Sequence, residues 1–237
     1  MPHKLRVARR HSEVHRSDRA GWLRATVMGA NDGILSTGAL LLGVVGAGEG
    51  RTMVLTAGLA GLVAGAGSMG MGEYVSVSSQ RDAEEADRAI EERELRADPR
   101  GEHAELQGIY ERRGLGPDLA AQVAEELMRT DALGAHLRDE LGLTEELRAR
   151  PLQAAVSSFS SFTAGALLPL AAVALSAESV RAVVLVVATL LSLVALGALG
   201  AWLGGASMPR GASRVGVGGA AALALTYGVG LLIGTAV

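Results

Sequence analysis

Charge in this chain is sorted rather than mixed, and the sorting dictates the solvent it must fold in. Four stretches, 52–72, 151–177, 182–209 and 215–237, hold no Asp, Glu, Lys or Arg, and a fifth, 25–48, holds the single acid Asp32. A helix needs about 20 mostly apolar residues to cross the hydrocarbon core of a bilayer. Backbone exposed to lipid has to satisfy its own hydrogen bonds, so all five stretches are expected as helices. By contrast, 19 of the 25 acidic residues fall within 80–150, together with 11 arginines. The expected fold is therefore all-α, a polytopic membrane protein of five transmembrane helices with a three-helix polar insert between the second and third.

Composition supports this. Hydrophobic residues make up 49% of the chain, yet it has only two Trp, three Tyr and two Phe, so Ala, Gly, Leu and Val supply the apolar mass. Membrane helices that pack through small residues have this composition. Three GxxxG steps, Gly61/Gly65, Gly200/Gly204 and Gly230/Gly234, point to close packing and are compatible with dimerisation. The first apolar stretch follows basic residues, but it is too long for the core of a signal peptide and carries an acid. The chain has no cysteine, which excludes thiolate metal sites.

Basic residues near the span ends set the orientation. Lys4, Arg6, Arg9, Arg10, Arg16, Arg19 and Arg24 precede the first span, whereas only Arg51 follows it and only Arg181 follows the third. The N-terminus and the insert are expected in the cytoplasm and the C-terminus outside. Four segments result: 1–20, a basic cytoplasmic tail; 21–79, spans one and two; 80–150, an acidic metal-binding helical unit; and 151–237, spans three to five. His11 and His15, one helical turn apart in the tail, are a weak metal pair and are better read as part of a solvated basic segment. Lys4 is the only lysine beside 21 arginines, a usage that points to a GC-rich genome and a bacterial plasma membrane.

Within the insert, the first helix is expected to continue from span two to about Asp98 and to stop at Pro99. The second covers about 102–113, and Asp118 is the expected N-cap of the third. A short piece follows around 135–141. Glu84, Asp87, Glu91, Glu94 and Asp98 recur at steps of three and four and so share one helix face. Such a stripe repels itself unless cations lie among it. Glu84–Arg88 and Glu92–Arg96 offer relief at i, i+4, but Glu91 and Glu94 have no basic residue four positions on. Glu102 and Glu105 form a second Glu-x-x-Glu, and His136 and Glu140 lie one turn apart. Carboxylates joined by an imidazole suit ferrous iron, manganese or zinc rather than copper(I).

Inside the spans, Asp32 stands out, because an ionisable group there normally faces a cavity, a partner or a pathway. The alternative is an acid that snorkels toward the cytoplasmic end near Arg24. Gly29 and Gly33 are expected to loosen the helix around it. Span two closes on Ser68-Met69-Gly70-Met71-Gly72-Glu73-Tyr74, which combines thioethers with a carboxylate. Methionine in such a place is more often a gap-filler.

The run Ala30-Asn31-Asp32-Gly33, this span-two ending, the acidic insert and three further spans together resemble the vacuolar iron transporter family, over residues 24 to the C-terminus. The resemblance implies a homodimer in the lipid bilayer that exchanges divalent metal for protons along a path between its subunits. It implies cargo of Fe2+ and Mn2+, with Zn2+ and Co2+ as further candidates, and no resident cofactor, enzymatic activity or nucleic-acid partner. It places pathway roles on Asp32 and Met69 and cytoplasmic metal-binding roles on Glu91, Glu94, Glu102, Glu105 and Glu140. His136 stands where plant members have a further methionine ligand. Plant members also carry acids where this chain has Gly21, Ala25 and Gly61, and Glu73 is the candidate substitute for one of them. The rival reading is a membrane-anchored carboxylate iron-binding protein or ferroxidase, disfavoured because the chain has no Glu-x-x-His.

Overall fold

The computed structural model describes residues 20–144 and 149–236. The expectations for residues 1–19, His11 and His15 among them, lie outside the described residues. The described chain forms seven α-helices and one short 3₁₀ turn, and no strand among them. The helices are α1 (Ala20–Gly46), α2 (Arg51–Ala97), α3 (Pro99–Arg112), α4 (Pro117–Asp139), α5 (Pro151–Leu175), α6 (Arg181–Leu203) and α7 (Met208–Ala236). Five of them, α1, α2, α5, α6 and α7, are long and apolar enough to cross a membrane. This is the polytopic all-α architecture expected, and the protein is an integral membrane protein.

Helix α2 has 47 residues, or about 70 Å at 1.5 Å per residue. That is more than twice the thickness of a hydrocarbon core of about 30 Å. Only its first half, through Gly72, is apolar. The polar second half projects from the bilayer and is unbroken with the part that spans it.

Helix α1 lies at the centre of the bundle, packed against α2, α5, α6 and α7. Its most extensive contact is with α5, and there the backbones touch. A Cβ on Gly33 would lie 2.1 Å from the carbonyl oxygen of Phe162, and one on Gly165 would lie 2.4 Å from that of Ala30. With no water to expel between helices in lipid, such backbone approach is what makes spans associate. The expectation that Gly29 and Gly33 loosen α1 is therefore corrected. The helix runs through them intact, because α5 fills the space that their missing side chains leave. The GxxxG glycines also pack within the chain: Gly61 meets Leu40, Gly65 meets Phe162, and Gly230 lies against Gly43. Farther along the bundle, Leu41, Leu42, Val54, Leu170, Val173, Leu185 and Leu223 form the apolar core. Leucines and valines such as Leu167, Val183, Leu191 and Leu225 point outward, as a lipid-facing surface requires.

The insert differs in detail from its sequence reading. Pro99 does end α2, but it also opens α3, three residues earlier than expected, because Asp98 turns its side chain to accept from the Gly101 N–H (3.0 Å). Proline suits a first helical turn, where its missing N–H costs nothing. For the same reason Pro117 opens α4, with Gly116 and not Asp118 as the N-cap. Asp118 sits in the first turn, where its charge complements the helix dipole. Arg88 pairs with Glu92 rather than Glu84, and Arg81 pairs with Glu85. Arg88 has glutamates a turn away on either side and takes one, whereas Arg81 has them only on its C-terminal side.

Candidate metal sites in the insert and the membrane

Two aspartates shape the insert site. Asp98 caps α3, and Asp131 breaks α4 with an extended backbone (φ −159°, ψ 82°) while accepting from the Gly134 N–H at 3.0 Å. Each cap restarts a helix just before a site residue, Glu102 in one case and His136 in the other. The packing of Leu106 and Ile109 of α3 against Ala124 and Ala135 of α4 then holds the two turns together beside α2.

Glu91 of α2, Glu102 of α3 and His136 of α4 meet there, all three buried, each offering a ligand atom within 4.8 Å of the others. His136 Nδ1 lies 3.8 Å from Glu91 Oε1, and its Nε2 lies 3.5 Å from Glu102 Oε2. Two ligands at about 2.1 Å from one ion are at most about 4.2 Å apart, so a small contraction would bring the three to bonding distance. Glu91 Oε1 is buried with no hydrogen-bond partner, which leaves a lone pair available to a cation.

His136 is held on both sides by acceptors. Nδ1 faces the Ala132 carbonyl at 3.0 Å and Nε2 the Glu102 carbonyl at 3.1 Å. A carbonyl oxygen can only accept, so both contacts form only when both nitrogens carry protons. Burial opposes that charge, but the two carbonyls and the carboxylates of Glu91 and Glu102 outweigh it and raise the imidazole's affinity for its proton. This arrangement favours the protonated imidazole, set between the side chains of Glu91 and Glu102. Binding a metal would require it to give up a proton and one carbonyl.

Burial, reinforced by Glu140, Glu102 and Glu94, pushes the Glu91 carboxyl up to about 7 even though His136 pulls it down. Burial also raises Glu102, with Glu105 and Glu94 adding to it, and raises Glu140, with Glu105, Glu102 and Glu94 adding to it, against the pull of His136 on both. Glu94, Glu105 and Glu140 are exposed and ring the buried trio. Other members of the acidic stripe do structural work: Glu84 accepts from the Ala149 N–H, and Asp98 is the α3 cap. Sequence reasoning missed the network beside this site, in which Tyr110, Arg113 and Arg138 all donate to Asp139. Its only trace was an arginine pair near a helix end.

A second site lies in the spans. Asp32, Ser36, Thr37 and Leu40 of α1, Gly61, Gly65, Ser68 and Met69 of α2, and Phe162 of α5 line a cleft of about 230 Å³. Asp32 and Met69, far apart in sequence, thus share one space. Glu73 is not among the residues lining it; it lies half-buried, four residues along α2 from Met69, about 6 Å toward the insert. The hydroxyls of Ser36, Thr37 and Ser68 belong to this cleft and were not anticipated. A serine and threonine four and five residues after Asp32 were the available signal.

A spanning bundle with a half-buried carboxylate and thioether in its apolar part, and buried carboxylates and an imidazole outside it, defines a membrane protein with two candidate places for a divalent cation. Residues 23–231 match the model of the VIT family, and the chain belongs to that family, the vacuolar iron transporters its motifs resemble. A vacuolar iron transporter of Acanthamoeba castellanii is 46% identical over 223 residues, 93% of this chain and 82% of that protein. The vacuolar iron transporter homolog 1 of Oryza sativa subsp. japonica is 38% identical, covering 91% of this chain and 75% of the relative. The vacuolar iron transporter homolog 2.1 of Arabidopsis thaliana is 37% identical over 98% of this chain and 91% of its own length.

Proposed function

We propose that the protein is a transporter that moves divalent transition metal, Fe2+ and Mn2+, out of the cytoplasm in exchange for protons, working as a homodimer. The observation that carries this reading is the meeting of Asp32 and Met69 in one cleft within the spanning bundle. An acid is retained in a membrane at a cost of at least about 2.5 kcal/mol, and here it is paired with a soft ligand. The names of the relatives support iron as cargo. The basic N-terminal flank supports a cytoplasmic insert, and arginine usage supports the plasma membrane of a bacterium.

Glu91, Glu102 and His136 capture the ion from the cytoplasm, with Glu94, Glu105 and Glu140 attracting it to them. The ion then passes to Asp32 and Met69. Protons and metal compete for the same carboxylate oxygens, so protonation from the far side releases the ion outward. His136 in place of a thioether shifts the insert toward nitrogen and oxygen ligation, which favours harder ions.

The test is Mn2+ uptake by vesicles containing the purified protein, with and without an acidic lumen. The wild type should accumulate Mn2+, faster with the gradient. Asp32→Ala should abolish uptake while leaving thermal unfolding and Mn2+ binding by the insert unchanged; gradient-driven uptake at the wild-type rate would sink the model. Oxygen consumption on adding Fe2+ would instead favour the ferroxidase reading.

A further inference from the structure

Hydroxyl groups in spanning helices normally return their proton to the backbone one turn back. Ser36, Thr163 and Thr226 all do so here, each donating to the carbonyl four residues earlier. Thr37 does not. It is only 2% exposed, and its hydroxyl oxygen is buried without a hydrogen-bond partner among the described residues. A buried hydroxyl left unpaired costs about 1–3 kcal/mol, so one that persists calls for a partner the protein does not itself supply.

Thr37 lines the same cleft as Asp32 and Met69. It lies five residues beyond Asp32 on α1, about 7.5 Å along the axis. Just past it Leu40, also in the cleft wall, lies against Gly61, whose Cβ would be 2.5 Å from the leucine side chain. The space of about 230 Å³ has room for an ion that keeps several waters. Ser36 and Ser68 add oxygens to its wall, and Phe162 is its apolar side.

We infer that Thr37 marks a second station for a partly hydrated divalent cation, beyond Asp32 and Met69, where its hydroxyl oxygen takes a bond from the ion or from a water in its shell. This rests on the transport reading for its place in a sequence, but not for the binding itself. The ion leaves Asp32 for a neutral oxygen-lined space and waits there behind Leu40.

The chain has no cysteine, so one introduced thiol can be followed without background. Thr37→Cys should react with a small methanethiosulfonate reagent, and Mn2+, which binds thiols poorly, should slow that reaction severalfold. Val63→Cys, on the lipid-facing side of α2, should be indifferent to Mn2+. Labelling of Thr37→Cys that Mn2+ does not change, or no labelling at all, overturns the station. Protection by Mn2+ in a protein that moves no Mn2+ into vesicles upholds the station and removes the transport reading. In uptake, the isosteric Thr37→Val should be slowed about tenfold, the equivalent of one lost hydrogen bond, while Thr37→Ser keeps most of the rate. If Thr37→Val unfolds, the Thr37→Ser and Thr37→Cys measurements decide. Wild-type uptake by a folded Thr37→Val overturns the proposal.

Discussion

Glu91 holds its proton up to about pH 7, against an ordinary 4.5, chiefly because burial disfavours the carboxylate. A metal ion has to displace that proton, and one from His136 as well, so Mn2+ affinity should climb as pH rises from 5.5 through 7. Calorimetric titration across that range checks this. Glu91→Gln should bind more weakly and lose the part of the pH dependence that Glu91 supplies, leaving that of His136. The sign for folding is the reverse. With its folded value raised, Glu91 favours the metal-free fold below about 4.5 and progressively disfavours it as pH rises toward 7.

Gly33 makes a different demand at the same scale. The atom its Cβ would strike is a backbone oxygen, which cannot rotate away. Gly33→Ala should therefore destabilise the protein in detergent by about 1–3 kcal/mol. Gly67→Ala, with nothing within 4 Å of the new methyl, should be neutral or gain up to about 1 kcal/mol from helix propensity. Thermal unfolding of the two variants separates them. Asp32 was legible in the sequence because an acid in an apolar run needs no context to be conspicuous. Glu91 was not legible as the buried member of its stripe. Spacing at three and four residues puts Glu84, Asp87, Glu91 and Glu94 on one face, but only the packing of α3 and α4 decides which of them is covered.

Among the elements, α3 and α4 depend on Asp139. Burial works against its ionisation, but Arg138, Arg113 and Tyr110 more than offset that and hold the carboxyl at about 2 rather than 3.8. The stability it contributes, about 2 kcal/mol by linkage, is present above pH 4 and is lost as pH falls through 2. At neutral pH, Asp139→Asn should remove that contribution. Hydrogen exchange at Leu106 and Ile109, in the small core of the insert, should then quicken while exchange in α1 and α5 does not. Unchanged protection in α3 would mean that the apolar contacts alone hold the unit. The helix starts were only partly legible. Pro151 marks its start correctly, but Pro99 reads in sequence only as a stop, and Asp118 stands in for the Gly116 cap before Pro117. The Asp131 break, which aims His136 at α2, depended on a side-chain cap that no periodicity reveals.

In the whole molecule, α2 is both a membrane span and one wall of the Glu91–Glu102–His136 cluster, and no loop intervenes. A continuous helix transmits displacement, so a change at Glu91 can be felt at Met69, 22 residues (91 − 69) and about 33 Å away along one axis. Ser78→Pro, placed where the helix leaves the apolar region, should bend it at a cost of about 3 kcal/mol. The expected outcome is insert binding of Mn2+ near wild type with uptake into vesicles lost. Retained uptake would show that the insert and the cleft work independently of a rigid α2.

The number and order of the spans, and the acidic character of the insert, followed from the sequence by itself. The cost of placing a residue in lipid is local and additive, so it can be summed along the chain without knowing what packs against what. The tertiary structure decided the rest: that His136 sits between Glu91 and Glu102, that the GxxxG glycines face Leu40, Phe162 and Gly43 of the same chain, and that Thr37 shares a space with Asp32. Each of these depends on the separation between backbones remote in sequence, and that separation is set where glycines let α1 and α5 touch and where two aspartates restart the helices of the insert.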